Sequence, residues 1–186
     1  MGGTFDPIHL GHLRAAENAR EALELSRVLL VPCRVPPHRS QAESSACDRF
    51  AMVALATAAH PAFVASDCEL RREGPSFTVD TVELLRADHP DAGLVVIVGS
   101  DTFPEMPTWK DPERLFSLCS VAVVRRPGGP PAPPFEAGPT RSTHVEGPGL
   151  PISASDVRQR VREGRSIRYL VPDGVAQHIT KRGLYR

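Results

Sequence analysis

The chain has 186 residues, 41% of them apolar, enough to close one substantial core. Lys plus Arg and Asp plus Glu each number 22, so no overall field favours a nucleic acid polymer or an anionic membrane. No apolar run nears the ~20 residues that cross a bilayer, and the first residues lack a charged-then-apolar signal pattern, which together predict a cytoplasmic protein.

The segment Gly2-Gly3-Thr4-Phe5-Asp6-Pro7-Ile8-His9-Leu10-Gly11-His12 joins a glycine-rich turn to two histidines at the head of a helix. Glycines let backbone amides approach an anion, Asp6-Pro7 turns the chain, and the first free amides of the helix add the positive end of its dipole. His9 and His12, three residues apart, are expected on one helical face, where both imidazoles reach the same phosphate cluster. Zinc ligation by the pair finds no further ligand cluster: Cys33, Cys47, Cys68 and Cys119 stand singly, as reduced thiols do.

Residues 13–25 read as a helix with Ala16, Ala19 and Leu23 on one side, followed by a buried strand over 28–31 stopped by Pro32. A second helix spans 48–59, closed by His60-Pro61, and a short strand begins at Phe63. Thr78 is expected to cap a third helix running through Ala87. Residues 94–98, five apolar side chains ended by Gly99, predict a strand buried on both faces, as in a parallel sheet. A short helix over 112–117 and a strand over 121–124 follow. The proline- and glycine-rich stretch 127–151 reads as a solvated connection. Helices over 155–163, stopped by Gly164, and 172–182, ended by Gly183, close the chain.

This alternation implies an α/β fold: one domain over 1–186, with a doubly wound, Rossmann-like parallel sheet and helices on both faces. Residues 152–186 form its helical C-terminal part. Ligands in such folds bind beyond the strand ends where the winding reverses, so the turn before His9 and the turn Gly99-Ser100-Asp101 are expected to face one cleft. His60, His89 and His178 read as solvated, and Cys33 and Cys119 as small core residues.

The opening segment resembles the His-x-Gly-His nucleotidyltransferases, and within them the bacterial nicotinate-nucleotide adenylyltransferase family. The likeness runs nearly the whole length, through Pro36-Pro37-His38-Arg39, Glu73-Gly74-Pro75-Ser76-Phe77-Thr78, Gly99-Ser100-Asp101, Trp109-Lys110, Arg126-Pro127-Gly128, Ile152-Ser153-Ala154-Ser155 with Arg158, and Gly183-Leu184-Tyr185. His-x-Gly-His alone names the superfamily; the ordered set is far more specific.

The resemblance implies transfer of AMP from ATP to nicotinic acid mononucleotide, giving deamido-NAD and pyrophosphate in NAD biosynthesis, by in-line attack with no covalent enzyme intermediate. It implies His12 and His9 as catalytic donors, with Gly3, Thr4, Ser155 and Arg158 on the ATP phosphates. Gly99 and Asp101 fall on the adenosine side, and Thr78, Trp109 and Arg39 on the mononucleotide side. Arg39 stands where the family usually has lysine, and Cys33 where asparagine is common. Mg²⁺ is expected to arrive with ATP, since no carboxylate cage is evident and no protein metal ligand is assigned. Rival substrates are phosphopantetheine, nicotinamide mononucleotide and glycerol phosphate, and a rival of another class is a nucleotide-binding regulator. A homo-oligomer contact through 127–151 stays open. Members of the family place an apolar strand ahead of Gly-Gly-Thr-Phe, where only Met1 stands here. The first central strand therefore reads as truncated, and Met1 is expected to be an internal methionine of a longer native chain.

Overall fold

The computed structural model describes residues 1–36, 42–125 and 142–186. Its frame is set by the β-branched runs. Strand β4 (Val95–Gly99) pairs in parallel with β5 (Ser120–Val124), and alternate side chains go to opposite faces. Ile97, Ala122 and Val124 join one core with Ala16, Ala19, Leu30, Met52, Val157 and Val175. Val98, Val121 and Val123 join the other with Val79, Val82, Phe103, Met106 and Leu115. A sheet buried on both faces follows from these two cores.

Strands β1 (Gly2–Gly3), β2 (Val28–Pro32) and β3 (Phe63–Ala65) form one parallel group, and β4, β5 and β6 (Ser142–Val145) the other. β1 packs beside β4. The strands thus run 3-2-1-4-5-6, and the winding reverses between β1 and β4, the position where doubly wound sheets open a ligand crevice. Helix α1 (Leu10–Ala22) lies against β4, β5 and β6, and α2 (Ala46–Thr57) lies against β2 and β3. Helix α3 (Thr78–Asp88) packs on α4 (Pro112–Leu118), with a 3₁₀ turn over Phe103–Thr108 between β4 and α4. Helices α5 (Ala154–Arg162) and α6 (Asp173–Arg182) end the chain, and Gly183 closes α6 at φ 64°.

Four expectations need correction. Helix α1 begins at Leu10 because His9 is its N-cap, so His9 is extended rather than helical. Thr78 does not cap α3; Phe77 occupies that position without a side-chain bond, and Thr78 is the first helical residue. The stretch read as a connection over 127–151 contains β6, whose Val145 is buried while Thr143 and His144 are exposed. His60 and His178 are not simply solvated: His60 stacks on Phe63 at 4.0 Å between centroids, and His178 pairs with Asp48. His89 is exposed and Cys33 is buried, as expected, while Cys119 is only partly buried.

Asp48 ties α2 to α6. Its Oδ1 lies 3.1 Å from His178 Nε2 and accepts from Arg182 Nε at 3.0 Å, while Ser45 caps α2 and donates to Oδ2 at 2.7 Å. Burial alone would raise this carboxyl, but the hydrogen bonds from Ser45, Arg182 and His178 overcome that and hold it below the usual range. A group whose folded pKa is depressed stabilises above its unfolded value, ~3.9, and loses that contribution as pH falls through the folded value. We therefore predict that Asp48→Asn lowers the melting temperature at neutral pH, and that the gap to the parent closes as pH drops below about 4. A gap unchanged down to about pH 2 in a thermal-melt series would remove the ionised carboxylate as its cause.

Candidate active site

The loop between β1 and α1 is closely packed against its own side chains. A Cβ on Gly3 would meet the Phe5 ring at 3.1 Å, and Phe5 itself sits at φ 50°. At the head of α1, His9 Nδ1 accepts from the His12 amide at 3.3 Å, and His12 Nδ1 accepts from the His9 amide at 3.2 Å. The two histidines thus form a reciprocal capping box, with rings stacked at 3.6 Å. Because each Nδ1 must be an acceptor, the proton of each neutral ring stands on Nε2. The Phe5 ring meets His12 edge to face at 5.1 Å.

Two arginines from distant helices hold this loop. Arg49 of α2 is 1% exposed; its Nη1 donates to Thr4 O at 2.8 Å and its Nη2 to Arg34 O at 3.2 Å. Its Nη1 also lies 3.8 Å from Cys33 Sγ, and burial pushes that thiol's pKa up. The Nε of Arg49 has no partner among the described residues. Arg158 of α5 donates from Nη1 to Asp6 O at 2.8 Å and from Nε to Glu43 Oε1 at 2.7 Å, and Arg162 binds the other Glu43 oxygen. Ser153 caps α5 through the Asp156 amide at 3.1 Å, with its Oγ 3.0 Å from that of the exposed Ser155. The cap of α5 is therefore Ser153, and Ser155 stands beside it. A cavity of about 590 Å³ opens here, lined by Arg34, Pro36, Glu43, Ser44, Ser45 and Arg49. Another of about 600 Å³, between Arg165, Arg168 and Gln177, touches none of the catalytic or binding residues expected from the sequence.

Of those residues, Gly3, Thr4, His9, His12 and Arg158 gather around one loop. Gly99 ends β4, where Ser100 N donates to Val124 O at 3.0 Å and exposed Asp101 follows. Thr78 and Trp109 belong to a separate group. Trp109 is partly buried against the core of Val79, Phe103 and Met106, and Lys110 binds Asp80 at 2.8 Å while lying over the Phe77 ring. A chain of hydrogen bonds joins this group to the loop between β1 and α1: Ser76 Oγ accepts from Arg34 N at 2.9 Å, and Arg34 O accepts from Arg49. Arg39 lies outside the described residues.

The sequence reading missed Asp6 beyond its turn, and it missed Arg49, Glu43, Ser44 and the hydroxyl of Tyr185. One signal was present. Arg49 falls on the stripe of Met52, Val53 and Thr57 in α2, where a cation on an apolar face asks for a buried partner.

Gly11 shows how tightly the cap is built. A Cβ there would stand 3.0 Å from His9 Nδ1 and 3.3 Å from Leu150 O, a ring bonded through Nδ1 and stacked on His12, and a backbone carbonyl. Helix propensity alone favours alanine over glycine by ~1 kcal/mol. We predict the opposite sign: Gly11→Ala destabilises by about 1 kcal/mol, the scale of a lost cap, in denaturant melts. A stabilised variant would show that the cap yields freely.

Residues 1–160 match the model of the family described as cytidylyltransferase-like. A Streptomyces coelicolor protein named "Probable nicotinate-nucleotide adenylyltransferase" is 46% identical across 100% of this chain and 99% of its own length. One of the same name from Syntrophotalea carbinolica is 42% identical across 100% of this chain and 95% of its own. Among solved structures, Plasmodium falciparum nicotinic acid mononucleotide adenylyltransferase complexed with NaAD superposes with a TM-score of 0.78, covering 99% of this chain and 94% of that one. At 20% identity, that likeness speaks for the fold. Sequence identity over the full length carries the rest: the chain belongs to the cytidylyltransferase-like family, among the nicotinate-nucleotide adenylyltransferases.

Proposed function

We propose that this chain transfers AMP from ATP to the phosphate of nicotinic acid mononucleotide, releasing pyrophosphate and forming deamido-NAD. The observation that carries the reading is the amide- and imidazole-lined loop at the reversal of the sheet, bridged by Arg158. The nucleophile, a phosphate oxygen whose second pKa is ~6, is already largely ionised at neutral pH. It attacks the α-phosphorus in line; the bond to the α–β bridging oxygen breaks, and pyrophosphate leaves with that electron pair.

His12 and His9 serve as Nε2–H donors to the reacting phosphates, and the amides of Gly3 and Thr4 line the loop. Ser155 and Arg158 take the β- and γ-phosphates, Gly99 and Asp101 the adenosine, and Thr78, Trp109 and Arg39 the mononucleotide. Mg²⁺ would be held by ATP oxygens and water rather than by a protein cage. Among the described residues no cluster of three His, Cys, Asp or Glu could hold it, and the Asp6 carboxylate already accepts hydrogen bonds on both oxygens. When bound, it neutralises phosphate charge. Residues 1–186 act as one domain. No helix among the described residues is long and apolar enough to cross a membrane, and the four cysteines are free thiols, which fits a cytoplasmic setting.

Pyrophosphate release measured with the acid mononucleotide, the amide mononucleotide, phosphopantetheine and glycerol phosphate tests the reading directly. The acid should support the highest kcat/KM; a higher value with any other would replace the substrate. His12→Ala should lower turnover about 100-fold with little change in ATP affinity, because a preorganised donor gains strength as charge shifts in the transition state. Turnover within threefold of the parent would remove His12 from the chemistry.

Glu43 adds a sign that distinguishes this assignment of Arg158. Its carboxylate neutralises the guanidinium that a triphosphate would take. Glu43→Gln keeps the backbone amide that holds Asp6 and removes the competing charge. A partly exposed pair is worth at most about 1 kcal/mol, so the KM for ATP should fall by up to about fivefold. An unchanged or raised KM would mean that Arg158 and the triphosphate do not meet.

A further inference from the structure

The penultimate residue of the chain reaches the phosphate loop. Tyr185, held at φ 63°, is buried, and its hydroxyl donates to Asp6 Oδ1 at 2.7 Å and lies 3.1 Å from Ser44 Oγ. Asp6 is 5% exposed. Its Oδ2 accepts from the Glu43 amide at 2.7 Å, and its Oδ1 also accepts from the amide and hydroxyl of Ser44. From the same residue, the carbonyl oxygen accepts from Arg158 Nη1 at 2.8 Å. Asp6 therefore joins the loop that carries Thr4, the entry to α2, the guanidinium on α5 and the end of the chain.

We infer that Tyr185 is a positioning residue for the proposed adenylyl transfer, acting through Asp6 to fix the phosphate loop against Arg158; the inference rests on the function proposed above. The hydroxyl bonds to Asp6 and Ser44 and acts through them. Its effect passes through a buried carboxylate that cannot reorient without leaving a donor unmet. Burial, with Asp6 beside it, holds the phenol well above its ordinary pKa, so it stays a donor across the working pH range. Loss of the hydroxyl frees one side of Oδ1 and loosens the joint between loop and arginine. In-line transfer depends on that alignment at the transition state more than substrate binding does, so the cost falls on kcat.

The test is pyrophosphate release by the full chain with ATP and the acid mononucleotide. Tyr185→Phe should lower kcat about tenfold while both KM values stay within about twofold. Asp6→Asn, which sets an amide N–H against the amides of Glu43 and Ser44, should slow the reaction more. Adding Tyr185→Phe to it should cost less than a further twofold, since both act through one joint. If Asp6→Asn fails to fold, Ser44→Ala replaces it in the cycle. Val175→Ala, in the core of α6, provides a destabilised control and should keep the parental kcat. Parental kcat in Tyr185→Phe, full additivity in the double variant, or an equal kcat loss in the Val175 control would overturn the inference. An active parent with an unaffected Tyr185→Phe overturns this inference alone, whereas an inactive parent overturns the reading beneath it as well.

Discussion

The carboxylate of Asp6 is the constraint on which the site depends. Taken out of water, its oxygens need hydrogen bonds that replace the solvent, and a half-satisfied buried polar group is worse than none. Among the described residues its oxygens draw donors from the entry to α2 and from Tyr185. Neither element has a local reason to approach residue 6. Their arrival brings Glu43 beside Arg158 and turns a glycine-rich loop into a fixed object. Asp48 repeats the pattern one turn further along α2, clasping α6 through His178 and Arg182 so that Tyr185 is delivered where Asp6 needs it.

Much of the frame was legible because it is written in local periodicity. The runs at β4 and β5 are apolar and mostly β-branched, and their alternate residues fill two cores, while β2 gives Val28 and Leu30 to one of them. β6 escaped because Ser142-Thr143-His144-Val145 is polar, and only Val145 needs burial. Its strand character comes from pairing with β5, a partner remote from the segment itself. The start of α1 was misplaced for a different reason. Histidine is an uncommon N-cap, and only the reciprocal bond with His12 makes His9 one.

The site divides along the same line. Gly3, Thr4, His9 and His12 are neighbours in sequence, so their gathering follows from the turn itself. Arg158 came from a resemblance, and its place over Asp6 is set by contacts more than 150 residues apart in the chain. Arg49 and Tyr185 announce nothing locally beyond a cation on an apolar stripe and an aromatic near the end. The carbonyls of Thr4 and Arg34 receive the Arg49 guanidinium, and those partners are visible only once β1, β2 and α2 have packed.

The capping box also limits what chemistry the histidines can perform. With each Nδ1 engaged by a backbone amide and each proton on Nε2, neither neutral ring has a lone pair left for a substrate proton. Such a pair is poorly suited to reactions that need a general base, which sets aside activation of a hydroxyl or a water by these residues. It suits a nucleophile that arrives already ionised and a leaving group that gathers negative charge. A phosphate attacking a phosphoanhydride meets both conditions.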